Sequence, residues 1–266
     1  QREYKLLKVD TIIEGVYMNW SEDATIRQMK AIHQIMGQME LLQGGTFMMG
    51  AAPEPDGSYH PDVDPYLETP QVESKVAPYY ICKYEVTVGQ WGRIMNEKYE
   101  KEKAALPKAE VTFRECQDFV KTLTELTGIT FSIPTEVEWE YAAKGGDRPD
   151  NTLYSGSSDP SAVAWYAKNS GARPHDCDAR STGMDANGAD LLDMSGNVSE
   201  WCDTPFRLYS DMAQDSASPE ILDETSMVIR GGNYLSEPYE LTVTHRDPMP
   251  AGSSMPTLGF RLVIRK

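Results

Sequence analysis

The chain is short of sulfur, of imidazole and of positive charge. Its 266 residues include four cysteines, Cys82, Cys116, Cys177 and Cys202, which allow three full pairings and so define no disulfide framework. Four histidines occur, and neither an HxxxH nor a CxxC spacing is present, so no common metal-binding signature is available. His60 and His175, the latter beside Asp176 and Asp178, read as solvated loop residues. Twenty-five basic against forty-one acidic residues give a net charge of −16, which argues against a nucleic-acid or general phosphate-binding role. No apolar run approaches the length of a transmembrane helix. The chain opens Gln1-Arg2-Glu3-Tyr4 without a signal peptide, as expected of a cytoplasmic protein or of one whose targeting segment has been removed. What is present, 40% hydrophobic and 25% charged residues, fits a folded globular protein rather than a disordered one.

Residues 22–38 have a helical period. Ile26, Met29, His33 and Met36 recur at three- and four-residue steps, Ser21 or Asp23 is placed to cap the start, and Gly37 weakens the end. The segment 1–38 is expected to be an N-terminal extension whose helix packs on the domain formed by 39–266. That domain opens with apolar runs 39–42 and 46–49 around Gly44-Gly45, a hairpin-like signal. A strand is expected from Tyr79 to Val86.

Three helix starts then share one chemistry. Thr87 with Gln90, Thr112 with Glu115 and Thr135 with Glu138 each have capping-box spacing, in which the two side chains satisfy otherwise unpaired backbone donors. A helix over 113–126 would bury Cys116, Phe119, Val120, Leu123 and Leu126 and stop near Gly128; a second is expected over 136–143. Glu138 therefore reads as a cap rather than a catalytic acid. From 147 to 226 the chain is rich in Asp, Ser, Gly, Asn and Pro, and so long a loop needs a local anchor. Strand-like runs close the chain at 227–230, 239–244 and 258–264.

The blocks GGTFMMG, YEVTVGQW, IPTEVEWEYAAKGG, NGADLLDMSGNVSEW, VIRGGNY and LGFRL follow in that order between residues 39 and 264. Together they resemble the formylglycine-generating enzymes, also called sulfatase-modifying factors. The resemblance implies an α+β variant of the C-type lectin-like fold, loop-rich, with short twisted antiparallel sheets and two main helices. It also implies a copper-binding, redox-active cysteine pair in the closing block, where this chain has Ser236 and Leu241. A hydroxyl and an alkyl chain supply no soft thiolate, so no copper and no formylglycine chemistry are expected. Relatives that use non-haem iron take histidines from an extra helical domain, for which this chain has no counterpart. A structural calcium ion is implied at Asp193, Gly196, Val198 and Glu200, through two carboxylates and two carbonyls. Export to the periplasm or cell surface is implied as well.

Arg230, Arg246 and Arg261 read as buried clamps. A nominal Ser236–His245 hydrolase pair lacks a GxSxG elbow, and Arg246 beside His245 is expected to weaken it as a base. Three functions stay open. The first is a non-catalytic module binding a glycan or extended peptide in a groove near Trp201, Tyr234, Ser236, Tyr239 and Arg246. The second is an assembly component with an envelope-protein partner. The third is an enzyme of the formylglycine-generating type or of unrecognised chemistry.

Overall fold

The computed structural model describes residues 16–177, 185–211 and 221–266. Asp178 and the first fifteen residues of the N-terminal segment lie outside them. Helix α1, Ile26–Met36, begins later than Ser21 or Asp23 would place it. Thr25 is the cap, its hydroxyl accepting from the Gln28 amide while the Gln28 side chain closes the capping box. Gln28 also donates to the carbonyl of Ile94, at the end of α2, Val88–Ile94. Met29, Ile32 and Ile35 share one hydrophobic core with α2 and with α3, Phe113–Thr127, so α1 packs into the domain's main core.

All three expected capping boxes form, at Thr87, Thr112 and Thr135. Helix α3 buries Cys116, Phe119, Leu123 and Leu126 and ends on Gly128 in the left-handed conformation. Phe119 stacks on Trp91 at 5.0 Å and meets the edge of Phe260 at 5.6 Å. Each large side chain fully buried there stabilises by roughly 1.5–3 kcal/mol. Helix α4, Glu136–Ala143, is buried on nearly every side, which is why it carries charged residues only where partners await them. Glu138 caps α4 and also forms a forked ion pair with Arg265.

The strands are short: β1 Met39–Leu42, β2 Gly45–Met49, β3 Val72–Val76, β4 Tyr79–Cys82, β5 Phe131–Ser132, β6 Ser199–Pro205, β7 Ser226–Arg230, β8 Arg246–Pro250, β9 Leu258–Gly259 and β10 Val263–Arg265. They make sheets of order β1-β4-β10-β5, β2-β3 and β8-β7-β6-β9. The β6–β9 pair is parallel, so the sheets are not wholly antiparallel.

Three expectations are corrected. β1 and β2 form no hairpin: β1 pairs with β4 and β2 with β3. Gly44, at φ +74°, sits so close to the Val76 carbonyl that a Cβ would lie 2.2 Å from it, and the chain crosses between sheets there. The strand from Tyr79 ends at Cys82, short of Val86. The run 239–244 opens as a 3-10 turn, Pro238–Leu241, because Pro238 suits a first helical position and the Glu240 carboxylate accepts from the Glu237 amide.

Between 147 and 225 the described residues hold β6 and two single turns, Pro160–Val163 and Tyr209–Asp211. The anchor is Asn187. Its side-chain oxygen accepts from the Ala189 and Leu191 amides, and its NH2 donates to the Ala142 carbonyl and Ser155 hydroxyl.

Candidate functional site

Register aligns Glu200 on β6 with Arg230 on β7, and Arg230 with Arg246 on β8. Side chains in register share one face of a sheet. Against that face α4 lays Glu136, Trp139 and Glu140, positions three and four apart and therefore on one side of the helix. Glu136 takes a fork from Arg246 at 2.7 and 2.6 Å, and Arg230 at 2.9 Å. Arg230 also reaches Glu140 at 2.7 Å, the Tyr209 hydroxyl and the Val243 carbonyl. Glu140 is buried, yet Lys144 and Arg230 outweigh its desolvation and hold its titration down to about 2. Charges this enclosed persist only when fully paired, and these are. Arg246 completes its set with the Arg207 carbonyl and the faces of Tyr209 and Phe206, at 4.1 and 4.7 Å.

Beside this cluster the loop 193–197 turns left-handed at Asp193, Gly196 and Asn197. Glu200, one of the two carboxylates expected on calcium, is occupied: both its oxygens receive Arg261, and Oε2 also accepts from the Trp139 indole at 2.8 Å. Asp193 is different. It is buried and neither oxygen has a hydrogen-bond partner, a state that suits a hard cation. Among the described residues no group of three His, Cys, Asp or Glu side chains is arranged to hold a metal, so an ion at Asp193 would take its remaining ligands from carbonyls and water.

The residues named for a groove are not brought together. Trp201 is wholly buried against Phe113, its indole donating to the Val111 carbonyl, because β6 is covered on both faces. Arg246 is buried in the glutamate cluster. Tyr234 is largely buried and Tyr239 is half exposed, its ring edge-on to His245. Ser236 does line a cavity of about 390 Å³ with Asn233, His245, Asp247 and Met255, and its hydroxyl accepts from the Asn233 amide. Leu241 points elsewhere, into a core with Tyr154, Val163 and Tyr166.

His245 is not weakened by Arg246 in the way its neighbour's charge suggests. Burial would lower its titration, but Asp247 at 2.8 Å and Glu68 at 3.7 Å lift it to about 9. At neutral pH it is an imidazolium and has no base to offer Ser236. His175 stacks on Trp165 at 3.7 Å and contacts the Ser170 carbonyl, while His60 is partly exposed.

Sequence reasoning missed a larger cleft of about 920 Å³ bordered by β2, the following loop and the end of α4. Phe47 and Tyr141 meet edge to face on its wall. Two of its charged groups are already engaged: Lys144 donates to the Met48 and Gly50 carbonyls and pairs with Glu140, and Asp147 accepts from the Tyr141 hydroxyl and the Gln43 amide, whereas Glu54 on its rim is exposed. Glu85, in YEVTV, was also missed; it is completely buried between Tyr84 and Val86.

Residues 26–266 match the sulfatase-modifying factor enzyme 1-like domain family. The chain is 28% identical to chaperone protein LppX of Paenibacillus barcinonensis, across 72% of this chain and 81% of that protein. It is 28% identical to the formylglycine-generating enzyme of Mycobacterium tuberculosis across 49% of this chain, and spans about half of that enzyme, 50%. Treponema denticola variable protein 1 superposes with a TM-score of 0.67 at 21% identity, covering 86% and 95% of the two chains. PvdO from Pseudomonas aeruginosa does so at 0.64 and 19%, covering 86% and 94%. These two likenesses speak for the fold, a mixed arrangement of few helices and short sheets. With a family match running from α1 to the last strand, the chain belongs to the sulfatase-modifying factor enzyme 1-like family.

Proposed function

We propose that this chain is a non-catalytic member of its family that binds an extended polypeptide segment in a chaperone or assembly role. The observation that carries the non-catalytic part is where sulfur lies. All four cysteines are free and buried, and none lines the cavity beside Ser236. Burial pushes the Cys82 thiol up to about 12 and the other three well above the usual thiol range. A thiol so held is a poor nucleophile at neutral pH, and none is placed to hold a soft metal in that cavity.

Support for a polypeptide comes from a relative that shares 81% of its own length with this chain and is named a chaperone. The cleft beside β2 is a suitable surface. Lys144 and Asp147 are engaged within the fold, which leaves aromatic wall, the exposed Met48, neutral side chains such as Gln43 and Asn151, and the rim residues Glu54 and His60 to face a ligand. A lining of that kind favours an apolar peptide over a charged small molecule, and the net charge of −16 disfavours acidic partners.

The test is fluorescence polarisation against panels of extended peptides and of glycans. Peptides should bind, and Ala52→Trp, an exposed cleft residue, should weaken them about tenfold, or ~1.4 kcal/mol, without moving the melting temperature. Binding confined to glycans, or aldehyde formation on a cysteine peptide with copper(I) and oxygen, would overturn the proposal.

A further inference from the structure

The strand beside the cleft has an unused edge. β2 and β3 form a two-stranded sheet, so one side of β2 meets no other strand among the described residues. In an antiparallel pair, alternate residues turn both backbone groups towards the partner strand, and the residues between them turn both away. Lys144 donates to the Met48 carbonyl, and the Gly44 and Gly50 carbonyls are taken by the Tyr141 hydroxyl and by Lys144. The even-numbered positions therefore face away from β3. Thr46, opposite Lys75, belongs to the same set, so its amide and carbonyl and the Met48 amide point off the edge as well. No loop or side chain among the described residues takes them.

That edge lies inside the cleft, which Thr46, Phe47 and Met48 line. It also lacks the usual protection. Free edges are blunted by charge, by proline or by a covering element. β3 carries the exposed Glu73 and Lys75, whereas β2, Gly-Thr-Phe-Met-Met, has neither charge nor proline. Thr46 and Met48, both exposed, share one face of β2, and Phe47 on the other meets Tyr141. Past the end of β2, Glu54 stands exposed on the rim, its carboxylate without an ion-pair or hydrogen-bond partner among the described residues.

We infer, resting on the peptide reading above, that β2 receives an extended peptide as a third strand, apolar along its length and with a lysine or arginine at the end beside Glu54. Thr46 offers one N–H donor and one C=O acceptor, and an antiparallel strand answers both from a single residue. A glycan hydroxyl could meet either group, but an extended backbone repeats the match two residues on, at the Met48 amide. Phe47 and Tyr141 then cover apolar side chains on one face of the added strand. The basic end follows from charge complementarity: Glu54 is unpaired, and Lys144 is committed to Glu140. An exposed ion pair is weak, so the main chain supplies most of the affinity and the charge sets the direction in which the strand lies.

The experiment uses the whole chain and a fluorescein-labelled octapeptide of alternating valine and threonine that ends in lysine. Thr46→Pro removes the outward amide at an edge position, where a strand tolerates proline. It should weaken binding about tenfold, and Thr46→Ala, which keeps the amide, less than about twofold. If Thr46→Pro does not fold, N-methylated peptides decide on the wild type. Methyl groups on one alternate set of residues should weaken binding about tenfold, and methyl groups on the other set hardly at all. Glu54→Gln should weaken the lysine peptide about two- to fivefold and leave its glutamine counterpart unchanged. Equal effects of the two methylated sets, or a folded Thr46→Pro that binds like wild type, would overturn strand addition while leaving a peptide ligand in place. So would an octapeptide that fails to bind where other peptides succeed. Equal affinities for the lysine and glutamine peptides would overturn the basic end. If no peptide binds at all, strand addition and the peptide reading fall together.

Discussion

Replacing Arg246 with methionine removes one guanidinium from the glutamate cluster and keeps most of its volume. Glu136 loses its fork at 2.6 and 2.7 Å and keeps the contact with Arg230 at 2.9 Å. The Arg207 carbonyl and the faces of Tyr209 and Phe206 lose a partner as well. Breaking a buried pair from one side costs about 3–5 kcal/mol, and the retained Arg230 contact sets the expectation at the lower end, about 3 kcal/mol. For a chain of this size each kcal/mol moves the melting temperature by roughly 2–4 °C, so Arg246→Met should melt roughly 6–12 °C lower. Urea unfolding followed by tryptophan fluorescence gives the free energy independently of the thermal curve. Peptide affinity measured well below the transition should be unchanged, because Arg246 lies outside the cleft. A melting temperature within 2 °C or so of wild type, or a loss of binding without a loss of stability, would refute the clamp and return Arg246 to a ligand role.

His245 should make stability depend on alkaline pH. Its titration is raised in the fold from the ordinary 6.5 to about 9, so its contribution is complete below about pH 6.5 and is lost as pH rises through 9. That contribution is at most about 3 kcal/mol, and unfolding free energies at pH 6, 8 and 10 should fall accordingly in wild type and much less in His245→Gln. A decline just as steep in the variant would contradict the assignment. The four buried thiols should be silent to Ellman's reagent in native buffer and all react in guanidinium; a fast-reacting thiol in the native protein would undo the argument that sulfur is unavailable for catalysis.

Local chemistry was readable in the chain itself. A threonine three residues before a glutamine or glutamate needs no distant partner to cap a helix, and the boxes at Thr87, Thr112 and Thr135 form where that spacing places them. The face of α3 follows from the helical period, and the ordered blocks carried the family and hence the fold. Reading failed where strands had to choose partners. The Gly44-Gly45 turn looks like a hairpin, but Val76 comes so close that the two strands go to different sheets. Trp201 and Arg246 suggested a groove by their type, and packing on both faces of β6 and the glutamates of α4 enclosed them instead. Glu136 meets Arg230 and Arg246 across 94 and 110 residues, and Arg261 gathers the Cys82 and Leu192 carbonyls and Glu200 from distant segments. Spacing within a few residues dictates caps and helix faces. Which charge is paired, which is left bare and where a cleft opens are consequences of strand register and of the packing of α4 against it, and those exist only once the chain has folded.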